Sequence, residues 1–313
     1  MGFVKKVGKA LGLKKIRDKH RHNLMFAKKY HFEGVKKDSE TLVYILAGYK
    51  EILWDVVFKR LKAFAPIDAD IVILSSGKYD ERLSKIAKDN NWCYLSTKKN
   101  NVSLIQNTVL LAFDKAKYVY KLDEDIFLTE GFFETLKKTY FDCLEKGKYI
   151  PGIVTPLLTV NGYAHYYLLE RFNLLDKYES LFEKPKVAAG VTRMIEANPD
   201  AAKFMWGADG SFKKIDETNA ILKKDPFRYE ACPVRFSIGA IFFLKETWVD
   251  MNYFPVGKKN AMGLDEEAVC AYCIIKSRPI VTSYNCLVGH LSFGAQNKPM
   301  EQYFKEHKEM FDL

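Results

Sequence analysis

From residue 40 onward the chain alternates short apolar runs with amphipathic stretches. Thr41–Ala47 is apolar, rich in β-forming residues, and stops at Gly48. A helical stretch follows over 51–64, with Ile52, Val56, Leu61 and Phe64 on one face and Pro66 as the stop. Ala69–Leu74 reads as a second strand running into Ser75, Ser76 and Gly77, and 81–91 as a helix. Trp92–Leu95 reads as a third strand, 103–115 as a helix and Tyr118–Leu122 as a fourth strand. Apolar runs without polar alternation fit strands covered on both faces, and the amphipathic stretches between them fit crossover helices. Four such units in succession predict an α/β protein built on a Rossmann-like, mostly parallel sheet flanked by helices. Ligands of such sheets bind beyond the carboxyl ends of the strands. That points to Gly48–Lys50, Ser75–Asp80, Ser96–Asn101 and Asp123–Asp125.

The second half is less regular. Residues 150–230 mix short apolar runs with Gly and Pro and read as loops and helices lying over the sheet. Arg235–Leu244 reads as a strand, 265–275 as a helix and Pro279–Thr282 as a short strand. No internal repeat or low-complexity tract interrupts the chain.

Charge changes the picture at one end. The net charge of the 313 residues is +10, but residues 1–22 hold eight basic residues against Asp18 alone, so +7 sits there and +3 on the rest. A nearly balanced body removes the main support for nucleic-acid binding. Within 1–22, Phe3, Val7 and Leu11 recur at helical spacing between lysines. Such a basic amphipathic segment suits an anionic membrane surface. No apolar run approaches the roughly 20 residues of a membrane span, and the N-terminus lacks the apolar stretch of a secretory signal. The expected location is cytoplasmic, peripheral on the membrane face. Cys270 and Cys273 form a C-x-x-C pair in apolar surroundings with no second pair at zinc spacing, so the six cysteines read as buried reduced thiols.

The most informative stretch is Leu122-Asp123-Glu124-Asp125-Ile126. Aspartates at i and i+2 leaving a strand point to the same side, and two carboxylates so placed repel unless a cation lies between them. Mn²⁺ or Mg²⁺ is held by one or two carboxylates together with substrate phosphates. A departing nucleoside diphosphate needs that neutralisation.

With Tyr-Val-Tyr-Lys-Leu-Asp-Glu-Asp-Ile-Phe closing four alternating units, the chain resembles the GT-A glycosyltransferases, nearest the family-two-like bacterial enzymes. The resemblance implies a GT-A fold with an acceptor-side subregion. Residues 1–31 then form the basic N-terminal segment and 32–313 a single catalytic domain, with its nucleotide-binding half at 40–126 and acceptor-side half at 127–313. It implies that Asp123 and Asp125 hold a divalent metal and the donor, with Glu124 a spacer facing away. Ser76 and Asp80 take the place of the uridine-contacting loop, although its Asp-Gly-Ser signature is absent, and Asn107 that of a base-contacting polar residue. Gly263-Leu-Asp-Glu-Glu implies an acidic pair, Asp265 first and Glu266 second, one of which deprotonates the acceptor hydroxyl; acids also favour a helix N-terminus for dipole reasons alone. His290 in Val-Gly-His-Leu-Ser-Phe-Gly matches a late metal ligand, and Lys298 a phosphate-contacting lysine. Trp206 and Asp209 in a Gly-rich loop offer an acceptor platform.

The implied activity is transfer of a hexosyl group from a nucleotide-sugar donor, a UDP-sugar first, to a glycan or lipid-linked acceptor, with inversion favoured by the acidic pair. Two other classes stay open. A metal-dependent nucleotidyltransferase or phosphatase would use the same carboxylates, although position 127 is Phe where a haloacid-type phosphatase needs Thr. A non-catalytic GT-A-like nucleotide- or glycan-binding module would keep the fold without turnover.

Overall fold

The apolar runs become strands of one sheet. The computed structural model describes residues 24–190, 193–257 and 263–313; the basic segment 1–22 lies outside them. The strands are β1 (His31–Glu33), β2 (Thr41–Leu46), β3 (Asp70–Ser76), β4 (Cys93–Thr97), β5 (Tyr118–Asp123), β6 (Ile126–Phe127), β7 (Ile153–Leu158), β8 (Tyr229–Ala231), β9 (Ala240–Leu244) and β10 (Ile280–His290). Their order is β1-β4-β3-β2-β5-β9-β7-β10-β6, with β8 paired to β10. Strands β2, β3, β4, β5, β7 and β10 run one way and β1, β6, β8 and β9 the other. The described helices of eight residues or more are α1 (Trp54–Phe64), α2 (Glu81–Asp89), α3 (Val102–Ala112), α4 (Phe132–Glu145), α5 (Ala164–Arg171), α6 (Ile215–Leu222), α7 (Leu264–Ile275) and α8 (Asn297–Glu306). The protein is mixed α/β with a mostly parallel central sheet flanked by helices. Strands β3, β4 and β7 are buried along their whole length, which is why their sequences show no alternation.

The second half departs from the sequence reading. Residues 153–158 are a sheet strand, not a covering loop, and pairing in the run 235–244 begins only at Ala240. The expected short strand 279–282 extends to His290. Pro156 explains why β7 escapes a pattern reading. Proline has no N–H to give the ladder, and the register of β10 against β7 jumps from Thr282 opposite Thr155 to Leu287 opposite Leu157. The bulge absorbs the missing donor and lets both strands continue. Farther along β10, Gly289 is required by a close approach: a Cβ there would stand 2.2 Å from the Trp206 ring.

One buried polar group ties distant segments to this frame, and a second is held locally. Arg60 of α1 is fully buried; its guanidinium donates to the carbonyls of Leu128 and Phe311 and pairs with Asp216. His165 of α5 is buried with Nδ1 on the Asn161 carbonyl. Burial depresses its pKa to about 4, outweighing the carbonyl contact.

Arg60→Leu leaves the carbonyls of Leu128, Phe311 and Asp312 and the Asp216 carboxylate without their donor, and the expected loss of about 3–5 kcal/mol is read by urea unfolding. For His165 the unfolded chain takes up a proton below about pH 6.5 while the native state resists until about 4. Stability is therefore full above the higher value and declines as the pH falls between the two, by up to about 3 kcal/mol. His165→Gln should flatten that part of the unfolding-versus-pH curve; an unaltered slope would remove His165 as its origin.

Candidate active site

The carboxyl ends of β2, β3 and β5 open into a cleft of about 460 Å³, faced from the other side by Ile238 and the first turn of α7. Ser76, Asp123, Asp125, Asp265 and Glu266 line it together. A larger cavity of about 570 Å³ lies between α5 and the segment 222–228. Its Arg171 and Asp225 are already closed on each other in a two-pronged ion pair, and none of the sequence-predicted groups reaches it. Chemistry therefore concentrates in the smaller cleft.

Asp123 ends β5, with its N–H donating to the Gly239 carbonyl at 2.8 Å. Lys121, two residues earlier on the same face and almost fully buried, donates to Asp123 Oδ1 at 2.6 Å. Enclosure in the cleft raises the Asp123 carboxyl to about 6; Lys121 pulls it down, and Asp125 and Asp265 push it up. Asp125 shows the opposite balance. Burial pushes it up, but His290 and the Lys50 ammonium more than compensate and hold it well below the usual carboxylate range.

His290 ends β10. Its Nδ1 lies 2.9 Å from the Val160 carbonyl, an acceptor only, so Nδ1 carries the proton and Nε2 turns to Asp125 Oδ2 at 3.6 Å. Two groups with lone pairs that face each other need a proton or a cation between them. Burial lowers the His290 pKa, but Asp125 raises it further, so the net direction is upward.

Glu124 does not face away as a spacer. It is buried, and its carboxylate accepts from the backbone N–H of Gly48 at 2.9 Å, the N–H of Tyr49 at 2.9 Å and Trp54 Nε1 at 2.6 Å. This clasp fixes the loop after β2, which carries Lys50 to Asp125 and Asn297. The exposed Tyr49 stands on the cleft rim, its hydroxyl donating to the Ser76 carbonyl.

Across the cleft Asp265 sits in the first turn of α7, which starts at Gly263 in the left-handed conformation (φ 79°). Gln106 of α3 donates from Nε2 to Asp265 Oδ2 at 2.8 Å. The Tyr44 hydroxyl donates to Gln106 Oε1 at 2.9 Å, which fixes the amide orientation. Burial first, then the charges of Asp265 and Asp123, push the Tyr44 phenol well up, so it stays a donor. Glu266 is paired with Arg235. Ser76 Oγ accepts from the Asn101 N–H.

Five other sequence-predicted residues stand outside the cleft. Asp80 caps α2 through the Leu83 N–H. Asn107 is fully buried, with its amide consumed by Trp248 Nε1, the Phe254 N–H and the carbonyls of Met25 and Phe254; a helix position cannot tell core from cleft. Lys298 is exposed on α8, where the adjacent Asn297 lines the cleft instead. Trp206 is buried against Phe127 and Phe311, with Nε1 donating to the His290 carbonyl, so its face is not free for stacking. Asp209 is paired with Lys177 and Ser211. Sequence reasoning passed over Lys121, Gln106 and the function of Glu124. Gln106 had no distinguishing signal, because Ser103, Asn107 and Thr108 are polar positions of the same helix.

Five carboxylates and two lysines line the cleft. Among the described residues no three His, Cys, Asp or Glu side chains already converge on one point. The surplus of anionic oxygen, the raised Asp123 and the Nε2 of His290 facing Asp125 nevertheless form a donor set that fits an oxygen-seeking divalent cation.

No known protein family matches the chain, and no curated protein matches it in sequence. Among solved structures it is similar to S. aureus TarS 1–349 in complex with UDP, at 10% identity and TM-score 0.42 over 78% of this chain and 57% of that one. It is also similar to the mannosyltransferase PcManGT from Pyrobaculum calidifontis in complex with GDP-Man and Mn²⁺, at 12% identity and TM-score 0.44 over 92% and 67%. A third is S. aureus TarS 1–349 in complex with UDP-GlcNAc, at 11% identity and TM-score 0.40 over 78% and 55%. The chain spans little more than half the length of the TarS structures with bound ligand. Likenesses this loose carry no functional argument, which rests on the cleft itself.

Glu124→Gln replaces an acceptor-only carboxylate by a group whose NH₂ confronts N–H donors. Each charge-assisted hydrogen bond lost is worth about 1.5–3 kcal/mol, so amide exchange at Gly48 and Tyr49 should accelerate by about tenfold or more while the β3 core stays protected. Unchanged exchange at both amides would show that the loop holds itself.

Proposed function

We propose that the chain is a glycosyltransferase that moves a sugar from a nucleoside-diphosphate sugar, a UDP-sugar first, to a glycan or lipid-linked acceptor hydroxyl, with inversion. The observation that carries this reading is the carboxylate-rich cleft at the end of β5, where Asp123 and Asp125 face Asp265 on α7. A surplus of negative charge cannot by itself receive a diphosphate; it becomes a diphosphate site when a divalent cation joins it. Asp123, Asp125 and His290 would hold Mn²⁺ or Mg²⁺, which supplies Lewis-acid stabilisation of the leaving diphosphate.

The chain's own groups do the rest. Lys50, held on Asp125 and free to pivot on a flexible stem, adds positive charge on the phosphate side. Tyr49 offers a ring at the rim for the base, and Ser76 a hydroxyl below it. Asp265 is the base: Gln106 and Tyr44 fix one carboxylate oxygen and leave the other to take the acceptor proton as the hydroxyl attacks. Glu266, tied to Arg235, positions the α7 turn and is the second choice.

The expected result for Asp125→Asn is a fall in transfer of about 10²–10³-fold with unchanged circular dichroism. Excess chelator should silence the wild type, and Mn²⁺ should restore it. A thermal-shift screen of UDP-, GDP-, CMP- and dTDP-sugars with and without Mn²⁺ identifies the donor. Full turnover in chelator, or in Asp125→Asn, would end this reading. Nucleotide binding with no transfer to any acceptor would replace it by a binding module.

A further inference from the structure

The end of the sheet opposite the cleft has a different surface chemistry. In a parallel α/β layer the strand N-termini and helix C-termini share one end. Here that end exposes bulky apolar side chains. Val35 stands ahead of β2, Ile67 ahead of β3, Ile150 ahead of β7, and Val249 in the short helix after β9, while Ile274 and Ile275 close α7. Ile67 is 94% exposed, Ile274 73% and Ile275 76%. A single exposed apolar residue is ordinary. These six recur across the sheet from β3 to β10, five strand spacings or about 24 Å.

The loops at this end carry a modest excess of bases. Segments 34–40, 65–69, 90–92, 113–117, 146–152 and 276–279, which lead into the strands of the main direction, together with 245–250 after β9, hold nine basic and six acidic residues, and Lys146 and Lys148 pair with Asp142 and Glu230 beside them. The described chain also begins beside this end. Met25 shares a depression with Met251, Tyr272, Ile275 and Lys276, and the sequence that leads into it is the +7 segment with apolar residues at helical spacing. In sequence, the basic segment thus precedes the residues that meet this apolar sheet end. Two like-charged ends of this kind repel each other, so charge selects an anionic partner over a second copy.

We propose that this sheet end docks on an anionic lipid bilayer. The isoleucines and valines reach the headgroup boundary and the lysines lie among lipid phosphates, so the cleft faces away from the lipid. The inference does not rest on the reaction assigned to the cleft, but a cleft turned from the bilayer favours the glycan over the lipid-linked acceptor.

The test is sedimentation of the full chain with phosphatidylcholine vesicles, with and without phosphatidylserine. Binding should require the anionic lipid and weaken about tenfold or more in Ile274→Glu/Ile275→Glu, whose exposed positions leave the fold intact. In a second measurement the fluorescence of Ile275→Trp should be quenched by brominated lipid. Equal binding of wild type and double variant, or an unquenched Trp at position 275 on bound protein, would overturn the proposal. So would self-association by light scattering without vesicle binding, which would assign the face to a second copy.

Discussion

The cleft depends on one buried carboxylate. Glu124 takes three N–H groups from the segment that follows β2 and so joins the ends of two adjacent strands. A carboxylate buried in this way is tolerable only because its lone pairs are used. The same requirement fixes the backbone at Gly48 and Tyr49 and brings Lys50 over Asp125. Side chains alternate at a strand end, so the flanking aspartates share one direction while the residue between them reaches the loop after β2 at the wall of the same cleft. One acidic triplet thus performs two tasks: the outer members supply charge to the cleft and the middle one builds its wall.

Around that wall the electrostatics are left incomplete. Asp123 and Asp125 sit close together yet are driven in opposite directions, one up by enclosure and like charges, the other down by His290 and Lys50. Such divergence is what the proposed function would draw on, since a cation between the two carboxylates would relieve it. Asp265 is held differently, through an amide whose own orientation is fixed by a buried phenol, so its geometry does not depend on the groups across the cleft.

The first half of the fold was legible because its strands are continuous apolar runs and its helices amphipathic, so the two periodicities separate cleanly. The second half was not. Pro156 and the compensating bulge in β10 hide a strand pair from any pattern of local residues, since the feature that makes the pairing possible lies more than a hundred residues away in sequence. The placements of Asp123, Asp125, Ser76, Asp265 and Glu266 on one cleft follow from strand and helix ends, which sequence patterns locate well. Asn107 and Trp206 went the other way because a polar group on a helix, or a ring in a glycine-rich loop, is claimed by whatever packs on it. Asn107 satisfies an indole and a backbone turn, and Trp206 fills the space that Gly289 leaves.

Helix α7 spans the layer from Asp265 in the cleft to Ile275 at the far end, about 15 Å along its axis. A rigid rod with such termini makes the two surfaces of the molecule mechanically contiguous. The fixed rise of a hydrogen-bonded helix holds that carboxylate and the isoleucine at the far end at one separation.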